Sequence, residues 1–323
     1  ELRLAFTVPL ADEIGHALDG QLGFDGAQLS LPDWGFTMSD IQGQLDFNLD
    51  GLSARGIRAR TLGAPVRVDV SPMNDGTTRI RTRGNLGLED IMRQVPAIPL
   101  QAFSGRTDFV IEMNIPAASA AAGTPGILSV ESDLKGVRIS LPAPFGKTPE
   151  QTRQLSVKLP VGGQPAPGSL QYAGLIDAKF SSDGHQVDVM VGGNEARLGP
   201  DPGVRIAGQL ETVDLLEWGE SLKGMSNGED SGPMSLHLDL GIGRLKAGNL
   251  GIDDLHLDAG IRNGLWRGKI EAPNLAGSFS AAQGQTQRPI QVDLDRLSLQ
   301  LPLGDENFAP PPVPDPEDGP DPA

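Results

Sequence analysis

Leu128-Ser129-Val130-Glu131-Ser132-Asp133-Leu134-Lys135-Gly136-Val137-Arg138-Ile139-Ser140-Leu141-Pro142 opens the stretch, running on to Val161, on which the reading of this chain turns. Leu128, Val130 and Leu134 alternate with polar neighbours, the period-two pattern of a strand with one dry and one wet face. The parity flips at Gly136: Val137, Ile139 and Leu141 then alternate with Arg138 and Ser140 up to Pro142, and Leu155, Val157 and Leu159 resume after a loop rich in proline and glycine. A glycine between runs of opposite parity predicts a bulge or sharp bend, because one extra residue swaps the side chains that face inward.

The phrase recurs. Phe24-Asp25-Gly26-Ala27-Gln28-Leu29-Ser30-Leu31-Pro32 matches Leu134 to Pro142 position for position, and Leu294-Asp295-Arg296-Leu297-Ser298-Leu299-Gln300-Leu301-Pro302 is a third copy with arginine in the glycine's place. The offsets of 110 and 160 residues are unequal, which argues against a fixed-period solenoid and for a recurring strand-to-strand crossing in one long sheet.

Around these copies the pattern is strand after short strand: Leu2 to Val8, Ile41 to Leu49, Leu52 to Arg60, Val66 to Val70, Thr78 to Arg83, Thr107 to Ile115, Ser169 to Phe180, Gln186 to Val191 and Val204 to Leu210. Met234, Leu236, Leu238 and Leu240, then Leu255, Leu257 and Ala259, begin an antiparallel series that Leu265 to Ile270, Leu275 to Phe279 and Ile290 to Leu301 complete. Helical spacing is confined to Leu10-Ile14-Ala17-Leu18, Leu88-Ile91-Met92-Val95 and Leu215-Trp218-Leu222. The fold class expected is therefore all-β with a few short helices, over residues 1 to 302, as one continuous region or two modules. Residues 303 to 323, acidic, proline-rich and without a basic residue, read as a linker or tail.

Composition narrows the function. Of 323 residues 38% are hydrophobic, with 10 Phe, 3 Trp and 1 Tyr, so the dry surface is built mainly from Leu, Val, Ile and Ala. The absence of cysteine excludes disulfides, thiolate catalysis and Cys-ligated metal. A formal net charge of -16 repels nucleic acid and anionic headgroups at long range. The chain begins at Glu1 without a signal peptide or a run of about 18 apolar residues, as expected of a piece of a longer protein whose membrane anchor lies elsewhere.

Catalytic constellations are weak. His237 and Asp239, with His256 and Asp258, are His-x-Asp pairs on the polar faces of two strands, and Asp253 and Asp254 lie close by. They could hold a metal or shuttle protons if the strands are neighbours, but half-buried strands need polar residues at every second position anyway. No Gly-x-Ser-x-Gly, His-Glu-x-x-His or P-loop is present, and Gly241-Ile242-Gly243 reads as a turn. Lys147 and Arg153, in and beyond a proline-rich loop, could meet a phosphate headgroup or simply be solvated. No cofactor and no metal is implied, and the protein is not read as an enzyme.

Ser132 to Val137, Leu141 to Lys147, Leu155 to Gly163 and Gly203 to Leu210, with Val213-Asp214-Leu215 and Glu217-Trp218, resemble the periplasmic region of the YhdP family, in the AsmA-like group of Gram-negative envelope proteins. The likeness runs from about Gly20 to Pro302. It carries no catalytic motif. It implies an elongated, curled antiparallel sheet, anchored to the inner membrane by a segment not in this chain, whose hydrophobic groove conducts phospholipid toward the outer membrane. The lining expected is Leu128, Val130, Leu134, Val137, Ile139, Leu141, Leu155, Val157, Leu159, Leu236, Leu238, Leu257, Leu297 and Leu299. The alternation alone serves equally for a β-sandwich or β-helix used in adhesion or glycan binding, although so few aromatic residues make a poor sugar platform.

Overall fold

The computed structural model describes residues 2–7, 17–31, 36–92, 102–225, 235–262, 264–282 and 291–298. Strand β1 (Leu2–Thr7) pairs antiparallel with β2 (Ala17–Leu31). An antiparallel meander follows: β3 (Phe36–Asn48), β4 (Gly51–Thr61), β5 (Ala64–Pro72), β6 (Thr78–Gly87), helix α1 (Leu88–Met92) and β7 (Phe103–Ile115). Strands β8 (Gly126–Ser132) and β9 (Val137–Ile139) lie end to end along β7, and β8 also pairs with β10 (Leu155–Val161). Next come β11 (Gly168–Tyr172), β12 (Ile176–Phe180), β13 (Gln186–Val191), β14 (Gly203–Asp214), helix α2 (Leu215–Met225), β15 (Leu236–Ala247), β16 (Leu250–Arg262), β17 (Leu265–Ala272), β18 (Leu275–Ala282) and β19 (Gln291–Leu297). The product is one long, open, curled sheet.

All three copies of the repeated phrase fall on one-residue register shifts. In β2, Asp25 faces Gln42 and Ala27 faces Ile41, so Gly26, with φ 76°, is the extra residue. Val110 faces Glu131 while Gly105 faces Val137, so five steps along β7 oppose six from β8 to β9, and Gly136 sits in the excess with φ 89°. In β19, Leu294 faces Gly277 and Arg296 faces Ala276, leaving Asp295 unpaired. An unpaired residue bends its strand and raises the local twist, and repeated bends curl a sheet this wide.

Three elements depart from the sequence reading. Ala17 and Leu18 belong to β2 rather than to a helix, because pairing with β1 overrides a spacing compatible with either state; Leu10 and Ile14 lie outside the described residues. Ser169 to Phe180 is a tight hairpin, not one strand: Tyr172 faces Ile176 across the three-residue loop Ala173 to Leu175, in which Ala173 (φ 53°) and Gly174 (φ 66°) are left-handed. Strand β14 runs parallel to both β13 and β15, so the sheet is not antiparallel throughout. Parallel neighbours need a return crossing, which residues 192–202 make before β14 and the segment containing α2 makes after it.

The buried hydrophobic residues divide unequally. One cluster joins Met38 and Ile41 in β3, Ala59 and Val66 in β4 and β5, Leu86 and Phe109, to Leu134, Val137, Ile139 and Tyr172. A second contains only Ile242, Leu255, Ala272 and Leu275.

Candidate functional site

Register converts the alternation of single strands into rows that cross the sheet. Val68 faces Ile57 and Thr82, Thr82 faces Ile111, and Ile111 faces Val130. From Val130 the row continues through Val157, Leu170, Ala178 and Val189. It crosses the parallel strands at Ile206 and Leu238 and ends through Ala259, Gly268, Phe279 and Val292. Two residues along each strand lies a second row, from Leu155 through Tyr172, Ile176, Val191, Gly208, Leu240, Leu257 and Ile270. On the other side Phe180, Val187, Val204, Leu236, Ile261 and Trp266 form a third. Three rows at two-residue spacing make a belt about 13 Å across.

Burial along the belt changes with position. In the first half Ile57, Val66 and Val68 are buried, because the segment from Leu134 to Ile139 and Tyr172 pack into the same cluster. Beyond Ile176 the rows are mixed: Ala178, Val191, Ala259 and Ile261 are buried, whereas Val189, Ile206, Leu236, Leu238, Leu240, Leu257, Ile270 and Phe279 are half-buried, the state of a sheet face flanked mainly by its in-plane neighbours.

The expected lining residues therefore separate. Leu128, Val130, Leu155, Val157, Leu159, Leu236, Leu238 and Leu257 are half-buried members of the belt or its borders. Leu134, Val137 and Ile139 are 3%, 0% and 6% exposed, and Leu141 packs against the same core, so these four are structural. Leu297 is 51% exposed on the edge strand, and Leu299 lies outside the described residues.

The two expected headgroup contacts, Lys147 and Arg153, are engaged within the protein. Lys147 is 5% exposed and its ammonium donates to the carbonyls of Leu134 and Val137. Burial pushes its pKa below the usual lysine value, with the nearby Arg153 charge adding to the effect. Arg153 donates from Nη1 to the carbonyl oxygens of Pro144 (2.7 Å) and Phe145 (3.1 Å) and to the Tyr172 hydroxyl (3.1 Å), which itself donates to the Phe145 carbonyl at 2.9 Å. Burial raises the Tyr172 pKa against the opposing pull of Arg153. Both cations are spent on backbone carbonyls that a proline-rich loop cannot pair with itself. Sequence reading missed this because a loop lysine is normally solvated.

A second juxtaposition was equally hidden. Phe145 meets Trp218 of α2 edge to face, with ring centroids 5.9 Å apart and planes at 78°. The segment folded over the first half is thus tied to the helix that carries the chain from β14 to β15.

The polar face holds the His-x-Asp residues as exposed, loosely paired neighbours. His237 Nε2 lies 3.9 Å from Asp258 Oδ1, His256 Nε2 lies 3.7 Å from Asp239 Oδ1, and Arg205 bridges Asp188 and Asp239 at 3.8 and 3.7 Å. The strands are indeed adjacent, but these side chains point away from the aliphatic belt. Among the described residues no group of three or more His, Asp or Glu is placed to hold a metal ion. No described helix is long and apolar enough to cross a membrane.

Neither the curated proteins nor the solved structures contain a match to this chain. A family model described as YhdP protein matches residues 1–320, which includes both the bulged phrases and the motif blocks that meet at Phe145 and Trp218. Belt, bulges and sequence thus agree, and the chain belongs to the YhdP family of AsmA-like envelope proteins.

Proposed function

We propose that this chain is a segment of a periplasmic bridge for phospholipid, whose acyl chains lie on the aliphatic belt between β10 and β19 while lipid passes between the inner and outer membranes. The observation that supports this reading most is the continuity of the half-buried belt through both parallel pairings, where register rather than strand direction keeps Val189, Ile206 and Leu238 in one row. One acyl chain, about half of a ~30 Å hydrocarbon core, covers roughly three strand spacings. Each methylene withdrawn from water contributes about 0.8 kcal/mol, so two tails are held firmly. Translation is still easy, because each row presents the next aliphatic side chain at nearly the same free energy and offers no directional hydrogen bond. In this reading the inner-membrane anchor and the end contacts that hand lipid to each membrane are assigned to parts of the protein outside this chain. Catalysis plays no part in this reading.

The test is mass spectrometry of lipid that co-purifies with the chain and with Val157→Asp and Leu238→Asp. Wild type should carry phospholipid and both variants should lose it while keeping the strand signature in circular dichroism. Wild type free of lipid, or variants that keep it, would count against the groove. A hydrolytic activity that disappears in His237→Ala and His256→Ala would instead favour an enzyme on the polar face.

A further inference from the structure

The net charge of -16 hides a surface of opposite sign. Between Gly51 and Gly87 there are seven arginines, no lysine and two aspartates, a local balance of +5. The register of β4, β5 and β6 aligns three of them on the face opposite the aliphatic belt: Arg58 faces Arg67, and Arg67 faces Arg83. Like charges placed directly across strands repel, so such a row is disfavoured unless something anionic lies over it. Asp69 answers Arg83 at 3.0 Å, and Arg58 reaches only the Gln42 amide oxygen at 3.4 Å. Arg67 makes no hydrogen bond or ion pair among the described residues. A shallow hollow of about 660 Å³ opens over the row, bordered also by Asn85 and by Asp108, which accepts from Asn85.

The hairpin between β3 and β4 adds a feature of a different kind. At its tip the turn residue Leu49 is 62% exposed, within a few residues of Arg55 at the same end of the sheet. An exposed turn leucine at the end of a plate of guanidinium groups forms the amphipathic combination that seats a protein at an anionic bilayer surface. We infer that the outer face of β4 to β6 docks on a bilayer carrying anionic phospholipid, with Arg58, Arg67 and Arg83 on headgroup phosphates and the turn leucine Leu49 in the headgroup layer. At physiological salt fields decay over about 8 Å, so the plate is felt at contact while the chain's more distant carboxylates are screened. An acidic protein would use the charge but has no need of the leucine tip. The inference goes beyond the lipid groove and does not require it, since it concerns the opposite face of the sheet.

Co-sedimentation of the full chain with phosphatidylcholine vesicles, with and without phosphatidylglycerol, tests it. Binding should require phosphatidylglycerol and weaken as salt rises. Combined Arg58→Gln, Arg67→Gln and Arg83→Gln should weaken it roughly a hundredfold, and Leu49→Ser about threefold. Arg67→Gln alone, at a side chain without a partner, should already reduce binding if the triple variant folds poorly. Leu238→Asp should bind vesicles like wild type, which separates failure of this surface from failure of the groove. Equal binding to both vesicle types, arginine variants that bind like wild type, or polyglutamate bound more tightly than the vesicles would overturn the inference.

Discussion

The first half of the sheet and the second present the same aliphatic alternation and treat it in opposite ways. From β3 to β9 the chain covers its own dry face: Leu134, Val137 and Ile139 lie in one cluster with Ile57, Val66 and Phe109, and Lys147, Arg153 and Tyr172 pin the covering loop through backbone carbonyls. From β12 to β19 most large side chains of the corresponding rows stay half-buried, although Ala178, Val191, Ala259 and Ile261 are buried among them, and the buried cluster there is small. Alternation therefore specifies which face is dry, whereas what dries it is decided by segments distant in sequence. One half behaves as an ordinary protein core, and the other keeps most of its large aliphatic side chains half-buried, the face on which the proposed lipid would lie.

The sharpest way to break this contrast is one substitution made on each side. Val137→Asp places a carboxylate at a fully buried position and should cost about 4 kcal/mol or more, read as a large fall in the urea midpoint. Leu238→Asp, on the half-buried face, should cost about 1 kcal/mol or less. Equal losses at the two sites would mean that the second half is covered as well.

The bulged phrases give a contrast of intermediate size. A Cβ on Gly136 would stand 2.4 Å from the Arg106 carbonyl oxygen at a φ of 89°, whereas one on Gly26, at 76°, meets nothing within 4 Å. Gly136→Ala should therefore cost about 3 kcal/mol and Gly26→Ala about 1 kcal/mol, measured by thermal or urea unfolding. The covered half tolerates no slack at its bend, and the bend in β2 is paid for by conformation alone.

Lys147→Met should cost about 2 kcal/mol by leaving the Leu134 and Val137 carbonyls short of a donor. Its pH dependence is the finer test. The buried ammonium has a lowered pKa, so between that value and the unfolded value near 10.5 the unfolded chain binds more protons, and wild-type stability gains as pH rises through this window. Below the window the full cost of burying the charge is carried. The methionine variant should lack this alkaline gain, and an identical pH profile in both proteins would remove Lys147 from the buried loop.

Much of this was legible beforehand. Period two named the strands, and the parity flip at Gly136 announced a register shift that the β7 pairing displays. Other features left no local trace. Parallel pairing of β13, β14 and β15 leaves strand composition unchanged, so Val187 to Val191 looks alike beside either direction of neighbour. The hairpin at Ala173 to Leu175 hid inside continuous alternation because a three-residue loop preserves parity: Leu170, Tyr172, Ile176 and Ala178 share one face. Lys147 and Arg153 looked solvated because their acceptors, the carbonyls of Leu134, Val137, Pro144 and Phe145, carry no side-chain signature. For the same reason Ile139 passed for a lining residue: its parity is right, and only the cluster above it shows otherwise.

Site-specific photocrosslinking during lipid loading tests the central claim most directly, with a photoreactive residue placed in turn at Leu238 on the half-buried belt, Val137 in the closed core of the first half and Asp239 on the polar face. Phospholipid crosslinked at Leu238 and absent at Val137 and Asp239 is the predicted result. Crosslinks as strong at Asp239 as at Leu238, or none at Leu238, would contradict it.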